Sequence, residues 1–320
     1  MAQYWEKYKL GGCLMDDVPV KAPELSASAG GLPERVDLRG LCSPVENQGG
    51  VGSCAANAAV GAMEYLQRRQ KAPEIDLSRL FVYYNARALA DTEDDDCGTF
   101  IHHAMAAVLA HGACPERMWP YQEAMWMIKP HQACYDAAAS FEAIQYARTP
   151  LGPVCKATLA AGLPIVFGAY LPSQWMYAGG DAQATLRPPS DGGWPEPGGG
   201  HAMLIVGYDD AKACWTVRNS WGAEWGDGGH CYIHYDVMAR YSHPHHFWAI
   251  GGLEQHATLR LTGVSPREAI AEHRVNAPAT VATALSARKA QLNSELGASL
   301  ATKRESIRNR LRGPGAGGGY

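Results

Sequence analysis

The sequence lacks the features that would direct the chain to a membrane or through one. Its first twelve residues, MAQYWEKYKLGG, contain no apolar run, so no secretory signal is visible. The longest apolar stretch, LPIVFGAYLP from Leu163, is far too short to span a bilayer and is typical of a buried strand. We therefore expect a cytoplasmic protein by default, with export by a route that needs no cleaved signal as the alternative.

The sequence also lacks a paired-cysteine motif. Its nine cysteines include no C-x-x-C pair, which argues against a structural zinc site, and an odd count leaves at least one unpaired. Two polar stretches, SHPHH at residues 242–246 and DTEDDD at residues 91–96, have no metal-site spacing and are interpreted as solvated loops. We expect no metal and no cofactor.

Charge is scarce and unevenly distributed. The net charge of −4 gives no reason to expect a nucleic acid as partner. Residues 256–320 contain ten Lys/Arg and four Asp/Glu, or +6, so residues 1–255 sum to −10. Leu and Ile recur at helical spacing in this basic end. We predict an amphipathic helix over residues 279–312 that binds a partner or self-associates; a disordered extension is the alternative.

Helical patterns precede strand patterns along the body of the chain. Apolar spacing predicts helices over residues 55–69, over 77–90 with Ser78 as cap, and over 99–112 ending at Gly112. Predicted strands occupy residues 164–170, 201–210, 214–221 and 229–236. Residues 171–200 are interpreted as a long loop. This order predicts an α+β protein with a helical part, a β-rich part and a cleft between them.

The stretch NQGGVGSC at residues 47–54 places a cysteine where a helix begins. A helix N-terminus stabilises a thiolate through its unpaired N–H groups and its dipole. The small residues before Cys54 allow a sharp turn and the close approach of a substrate. The side chain of Gln48 can donate to a developing oxyanion together with the backbone N–H of Cys54. Taken alone, a cysteine after glycines is more often an inert buried thiol.

Two further residues complete a candidate catalytic set. His201 opens a predicted buried strand in GGGHAMLIVGYDD, where a base is held by the strand and still faces the cleft. Asn219, in VRNSWGAEWGDGG, follows the next predicted strand, and its amide can orient an imidazole. Each residue alone has an ordinary structural explanation, but the joint occurrence with Gln48 and Cys54 favours cysteine-based acyl transfer.

Together these stretches resemble the papain-like cysteine peptidases of clan CA, and their bacterial members most closely. Gln48, Cys54, His201 and Asn219 match the family's oxyanion-hole, nucleophile, base and orienting positions. Trp221 matches the tryptophan that shields the His–Asn hydrogen bond from water. The resemblance implies hydrolysis of peptide bonds in peptide or protein substrates through a thioester on Cys54.

The resemblance covers about residues 32–250 and implies a two-lobed papain-like fold. The helical left lobe would occupy about residues 32–140 and the antiparallel, β-barrel-like right lobe about residues 141–255, with the active cleft between them. Residues 256–320 would form a C-terminal extension. The resemblance places five residues at the substrate groove: Gly98, Thr99, Phe100, Gly200 and Ala202.

The sequence departs from the family at two positions beside the nucleophile. Ala55 stands where the family usually has tryptophan, and Val51 stands where it usually has a disulfide cysteine. Both changes fit a chain that does not depend on the family's disulfides. Two other interpretations stay open: another Cys-His-Asn acyl-transfer enzyme, such as a deamidase or a ubiquitin-like-specific peptidase, and a non-catalytic binding protein on the same fold.

Residues 1–31 resemble a short propeptide. They are too few for a separate domain, but Tyr4, Trp5, Tyr8, Leu10 and Leu14 offer apolar anchors. A Gly-Gly pair between these anchors allows the backbone to press closely on a surface. We predict that residues 4–20 dock on the catalytic body, partly cover the groove near the candidate thiol and imidazole, and inhibit the enzyme. An anchor strand elsewhere on the body is the alternative.

Overall fold

A computed structural model of the chain describes residues 8–15, 21–27, 30–141, 145–179 and 183–251, and the backbone of residues 259–262. The helix predicted over residues 279–312 lies outside the described residues, as do residues 4–7 and 16–20 of the N-terminal segment. Over the part of the chain that is described, no helix has the length and apolar character needed to cross a membrane.

Seven α-helices lie in the described residues, and the three predicted from apolar spacing are among them. Their bounds are α1 (Cys54–Arg69), α2 (Arg79–Ala88), α3 (Ile101–Ala110), α4 (Gln132–Ala138), α5 (Pro153–Ala160), α6 (Ser173–Ala178) and α7 (Tyr235–Tyr241). α2 begins as predicted, because the hydroxyl of Ser78 accepts a hydrogen bond of 3.2 Å from the amide of Phe81. Gly112 follows α3 with a φ of 69°, a conformation that suits glycine after a helix.

Twelve strands lie in the described residues and form two sheets. Their bounds are β1 (Cys13–Leu14), β2 (Glu24–Ala27), β3 (Arg35–Asp37), β4 (Thr99–Phe100), β5 (Tyr146–Arg148), β6 (Ile165–Ala169), β7 (Thr185–Leu186), β8 (His201–Asp209), β9 (Cys214–Arg218), β10 (His230–His234), β11 (Ser242–Ile250) and β12 (Leu259–Thr262). β1 and β4 form a parallel pair of their own. The other ten strands form one sheet, which contains the four predicted strands as β6, β8, β9 and β10.

The large sheet is open, which corrects the prediction of a barrel-like right lobe. Its strand order is β12-β2-β5-β11-β6-β8-β9-β10-β7, and β3 pairs with β8 beside this path. Most neighbours are antiparallel, but β2 with β5 and β7 with β10 are parallel. A barrel closes only when its two end strands pair. Among the described strands β12 and β7 stay at opposite ends, so the α+β class is confirmed but no barrel closes.

The central strands β6 and β8 are buried on both faces. Val166, Leu204 and Val206 face a core that they share with α1, α2 and α3. Phe167 and Ile205 face the opposite way and pack in a second core with α5, α6 and α7. Successive side chains of a strand point to opposite faces, so a strand covered on both sides is apolar at every position. This packing places the start of β8 beside α1, whose first residue is the candidate nucleophile.

Three predictions about connecting segments are wrong. Residues 171–200 are not one loop, because they contain α6 and β7. The SHPHH stretch is not a loop either, since it opens β11, and Pro244 lies where the pairing of β11 shifts register between Ser242 and Phe247. Residues 35–37, expected in the helical lobe, form β3 and pair with β8. Strands this short are stabilised by distant partners, which local sequence patterns do not record.

Candidate active site

Cys54 is the first residue of α1 and is fully buried, with 0% of its surface exposed. The preceding loop turns through Gly49, whose φ is 56°. Ser53 is the N-cap of the helix, but its hydroxyl pairs with the hydroxyl of Tyr121 at 2.6 Å and makes no side-chain cap. The N–H groups of the first turn are therefore not satisfied by a side-chain cap at Ser53 and can stabilise an anion on the Cys54 side chain.

Gln48 is held rigidly beside this loop. Its amide nitrogen donates a hydrogen bond of 3.0 Å to the carbonyl of Val51, and its amide oxygen accepts one of 2.6 Å from the hydroxyl of Ser220. Its backbone N–H donates to the Ser220 carbonyl at 2.8 Å, and the Tyr121 hydroxyl donates to its own carbonyl at 2.8 Å. A carboxamide has two N–H groups. One of them is used within the loop, and the second can serve an oxyanion.

His201 and Asn219 are joined as the sequence predicted. His201 is the first residue of β8 and Asn219 follows the last residue of β9; because these strands are antiparallel neighbours, both residues lie at one sheet edge. His201 Nε2 lies 2.8 Å from Asn219 Oδ1. The same oxygen accepts a hydrogen bond of 2.8 Å from the amide of Ser220, which identifies it as the acceptor. Nε2 is therefore the protonated nitrogen, and Nδ1 is the basic one.

The electrostatics of His201 follow from its burial. The imidazole is completely enclosed, and this desolvation lowers the pKa of His201 to about 4, while the hydrogen bond to Asn219 raises it in part. His201 Nδ1 has no hydrogen-bond partner among the described residues. The imidazole is thus neutral at pH 7, with a bare nitrogen that can accept a proton.

Trp221 covers the histidine, as the family resemblance implied. Its ring centroid lies 4.8 Å from that of His201, and the indole is only 1% exposed. Two tyrosine rings stack on Trp221, Tyr8 at 4.9 Å and Tyr177 at 6.0 Å. Enclosure of this kind keeps water away from the hydrogen bond between His201 and Asn219, which strengthens that bond.

Residues 8–15 of the N-terminal segment, here named the strap, cross the groove between the two halves of the site. The amides of Gly11 and Cys13 donate to the carbonyl of Gly200, next to His201, at 2.8 and 3.1 Å. On the other side, the carbonyl of Gly12 accepts a hydrogen bond of 3.0 Å from Thr99 as β1 pairs with β4. Three consecutive strap residues thus bridge both walls of the groove, which agrees with the predicted docking for residues 8–15, the described part of residues 4–20.

The strap also lies against the loop that leads to Cys54. A Cβ atom built on Gly12 would lie 2.7 Å from the carbonyl oxygen of Gly52, closer than any side chain allows. A Cβ atom on Gly98, whose φ is 83°, would meet the Gly12 carbonyl oxygen at 2.3 Å. Glycine is required at both positions because two backbones meet there without room for a methyl group. Cys54 and His201 are both 0% exposed beneath this crossing.

The five predicted groove residues divide into two sets. Gly98, Thr99 and Gly200 touch the strap directly through the contacts above. Ala202 is buried in β8 opposite Gly168 of β6, and a Cβ atom on Gly168 would meet the strap's Met15 and Cys13 sulfurs. Phe100 lies inside the helical half, where its ring contacts the rings of His102 and His103. Four of the five residues thus lie along the groove; the backbone of Phe100 pairs with Leu14 of the strap, while its ring packs in the helical half.

Asp96 is a site residue that the sequence analysis missed. Its carboxylate accepts hydrogen bonds from the amide of Gly52 at 2.9 Å and from the hydroxyl of Tyr83 at 2.6 Å, and it pairs with Lys9 of the strap. The acidic stretch was interpreted as a solvated loop, and this is wrong for its last residue. A run of six polar residues gave no indication of which one folds inward.

The three histidines of β11 lie at the start of that strand. His243, His245 and His246 lie close together, with ring centroids 5.0 and 5.5 Å from that of His243. Over the described parts of the chain, no group of three or more His, Cys, Asp or Glu side chains is arranged to bind a metal ion. His245 Nδ1 instead lies 3.1 Å from the guanidinium of Arg148.

Comparison with known proteins identifies the family. Residues 32–244 match the family described as papain family cysteine protease. The chain belongs to the papain family. The resemblance inferred from the sequence motifs is thereby confirmed, and with it the assignment to the cysteine peptidases, hydrolases that act on peptide or protein substrates.

The relatives of this papain-family chain come from several kingdoms. Among solved structures it is similar to xylellain, a cysteine protease from Xylella fastidiosa, with 29% identity and a TM-score of 0.67 over 77% of this chain and 97% of that one. It is 30% identical over 214 residues to an uncharacterised peptidase C1-like protein of Acanthamoeba polyphaga mimivirus, covering 64% of this chain and 68% of that protein. It is also 30% identical over 223 residues to cathepsin K of Gallus gallus, covering 65% of this chain. The match spans 60% of cathepsin K, less than two thirds of its length.

Two structural features distinguish this papain-family chain at the positions noted in its sequence. Val51, in place of a disulfide cysteine, is 2% exposed, and its carbonyl accepts the hydrogen bond from Gln48. Ala55, in place of tryptophan, is fully buried in the first turn of α1. All nine cysteines lie in the described residues, and no disulfide joins any two of them. The loop before Cys54 is held by Gln48, Asp96 and Tyr121 rather than by a disulfide.

Proposed function

We propose that this chain hydrolyses peptide bonds with Cys54 as nucleophile and His201 as general acid and base. The observation that supports these roles is the 2.8 Å hydrogen bond from His201 Nε2 to Asn219 Oδ1, because it leaves Nδ1 unprotonated at the groove. A base must be neutral and correctly oriented before it can take a proton from a thiol. Asn219 supplies the orientation, and burial supplies the neutral state.

Acylation begins when His201 Nδ1 takes the proton from the Cys54 thiol. The thiolate sulfur attacks the carbonyl carbon of the scissile peptide, and the carbonyl oxygen becomes an oxyanion. This oxyanion accepts hydrogen bonds from the Cys54 backbone N–H and from the second amide N–H of Gln48. The C–N bond then breaks, His201 returns the proton to the leaving amine, and the acyl group stays on Cys54 as a thioester.

Deacylation uses the same groups in the reverse order. A water molecule gives one proton to His201 Nδ1, and its oxygen attacks the thioester carbon. Gln48 and the Cys54 N–H again stabilise the oxyanion. The C–S bond breaks, the sulfur of Cys54 takes back the proton from His201, and the carboxylic acid product leaves.

A fluorogenic peptide assay tests these roles. Cys54→Ala and His201→Ala should abolish measurable cleavage, and Gln48→Ala should lower kcat/KM by about 100- to 1000-fold, as loss of an oxyanion donor does elsewhere. Cys155→Ala is the matched control, because Cys155 is equally buried but lies in α5. Cleavage at the normal rate by Cys54→Ala would disprove the proposal. Mass spectrometry of the products distinguishes peptide hydrolysis from deamidation.

We further propose that the strap inhibits this peptidase. Its backbone binds Gly200 on one wall and Thr99 on the other, the surfaces that a substrate backbone would need. Its Tyr8 ring stacks on Trp221 beside His201. A substrate can reach Cys54 only after the strap moves away. The strap is thus an inhibitor that forms part of the same chain, and it can be removed by displacement or by cleavage.

The location of the protein and the role of its C-terminal end are also proposals. We propose a reducing, cytoplasmic location, with which the nine unbridged cysteines are compatible. We also propose that residues 279–312 bind a partner or a second copy through an apolar helical face. The pattern of leucines and the surplus of basic residues in that region support this proposal.

A further inference from the structure

Asp96 lies in the wall of the groove, where it joins three separate parts of the molecule. One carboxylate oxygen, Oδ1, accepts the hydrogen bonds from the Gly52 amide at 2.9 Å and the Tyr83 hydroxyl at 2.6 Å. The other oxygen, Oδ2, pairs with the ammonium group of Lys9, which also lies 3.4 Å from the Asp96 carbonyl oxygen. The catalytic mechanism uses neither this carboxylate nor this ion pair.

The two oxygens of Asp96 therefore have different partners. Oδ1 is bound entirely by the catalytic body, so its position does not depend on the strap. Oδ2 is bound by the strap. When the strap leaves the groove, the carboxylate stays oriented by Gly52 and Tyr83, and Oδ2 faces the space that Lys9 has left. A charged group already held in place by neighbouring residues is a prepared binding site.

We propose that Asp96 is a specificity-determining residue that binds the side chain of a lysine or arginine in the substrate. Lys9 occupies this position when the strap is docked and so acts as an internal stand-in for the substrate's basic residue. The inference rests on the proposed peptidase activity and on strap inhibition, and it identifies the substrate class of that site.

The place of Asp96 in the groove determines which substrate residue it binds. Gly52, to which Asp96 is bonded, lies two residues before Cys54, in the loop that leads to the nucleophile. Asp96 is thus tied to the backbone that precedes the attacking thiol. We assign the basic residue to the position that supplies the carbonyl attacked by Cys54.

The charge around Asp96 supports a cationic ligand. The preceding Asp94 and Asp95 are exposed to solvent on the same loop, and Asp96 itself is 18% exposed. Side chains of one sign along a cleft raise the local concentration of substrates of the opposite sign. The ion pair is partly withdrawn from water, so it discriminates better than a fully exposed pair would.

Two peptides that differ only at the residue before the scissile bond, lysine in one and glutamine in the other, test the proposal. The full chain and its Lys9→Gln variant should both cleave the lysine peptide with a kcat/KM about tenfold higher than that for the glutamine peptide. Lys9→Gln should raise the rate on both peptides, since it weakens only the strap. Asp96→Asn should reduce the preference to about twofold or less, because asparagine keeps an acceptor for Gly52 and Tyr83 but loses the charge.

Asp95→Asn is the matched control: it removes one exposed charge of the same loop and should lower the preference far less than Asp96→Asn does. If Asp96→Asn does not fold, the unmodified chain is compared on lysine and Nε-acetyl-lysine peptides, and equal rates would overturn the proposal. A preference that persists in Asp96→Asn would overturn it as well. Calorimetry measures the binding of both peptides to the inactive variant Cys54→Ala/Lys9→Gln. This experiment separates the proposal for Asp96 from the proposed peptidase activity, because it does not require cleavage. Tighter binding of the lysine peptide without cleavage by any catalytic form refutes only the peptidase mechanism.

Discussion

Asn219 illustrates how the site depends on single atoms. Its Oδ1 accepts hydrogen bonds from His201 and from the Ser220 amide, and the Ser220 hydroxyl in turn donates to the amide oxygen of Gln48. The base, its orienting residue and the oxyanion donor are therefore linked through Ser220. A change at Ser220 would therefore disturb both the orientation of His201 and the position of Gln48, although this residue takes no part in the chemistry itself.

Because His201 is buried while the strap covers the groove, we predict that acid destabilises this folded state. Its folded-state pKa of about 4 lies below the usual value of 6.5, so between these values the unfolded chain binds the proton and the folded chain does not. Stability is therefore present at neutral pH and lost as the pH falls from about 6.5 toward 4, by up to roughly 3 kcal/mol. Urea unfolding of Cys54→Ala at pH 7.0 and about 4.5 measures this loss.

The matched control for that experiment is Cys54→Ala/His201→Gln, which removes the titrating imidazole and keeps a polar side chain of similar size. This double variant should lose less stability between the two pH values than Cys54→Ala loses. The two proteins differ only at residue 201, so the difference between their losses of stability isolates His201. An identical loss in both would contradict the assignment.

At the scale of elements, the strap is stabilised by backbone contacts rather than by a helix or a long strand. β1 consists of two residues, yet its neighbours bond to both walls of the groove. Cys13, Leu14 and Met15 of the strap are each less than 9% exposed. β1 pairs only with β4 and lies outside the large sheet, so the strap can leave the groove without breaking the hydrogen bonds between the strands of that sheet.

Gly12 gives a direct test of the strap, since the backbone of Gly52 leaves no room for a Cβ atom at this position. Gly12→Ala should raise kcat/KM on a small peptide by roughly 5- to 150-fold, because overpacking costs about 1–3 kcal/mol of docking free energy. Gly30→Ala is the control, since nothing lies within 4 Å of a Cβ atom there. Equal activity in wild type, Gly12→Ala and Gly30→Ala would show that the strap is no inhibitor.

Local patterns predicted the three longest helices and the central strands, but they missed the short strands and also β11, whose first residues are polar. α1, α2 and α3 follow from apolar spacing, from the Ser78 cap and from Gly112, all of which act within a few residues. β6 and β8 follow from continuous apolar runs. β2, β3 and β7 have two to four residues each, and they are strands only because β12, β8 and β10 lie beside them. Their formation depends on partners more than 40 residues away in sequence.

At the scale of the whole molecule, the chain divides after Pro278. All of the described residues belong to the first unit, residues 1–278. The first unit contains the complete candidate site, and its sheet joins the N-terminal strand β2 to β12. The predicted C-terminal helix belongs to the second unit, outside the described residues.

Truncation after Pro278 tests the role of that second unit. The shortened chain should keep the full chain's kcat/KM on a small peptide, since every candidate catalytic residue lies in the first unit. Its apparent mass on a size-exclusion column should also fall by more than the mass of the 42 removed residues. This is expected because the apolar helical face would no longer self-associate. A truncation ending at Thr262 serves as the shorter comparison. An elution volume that follows chain mass alone would contradict self-association.

By itself, the sequence determined the chemistry of this protein. The spacing of Gln48 and Cys54, and the strand ends that hold His201 and Asn219, predict the candidate catalytic set because each signal is local to a turn, a helix start or a strand. Only the tertiary structure decided that the sheet stays open, that Asp96 turns inward to Gly52 and that the strap crosses above Cys54. These features consist of contacts between segments far apart in sequence, and their free energy depends on distances that no local pattern encodes.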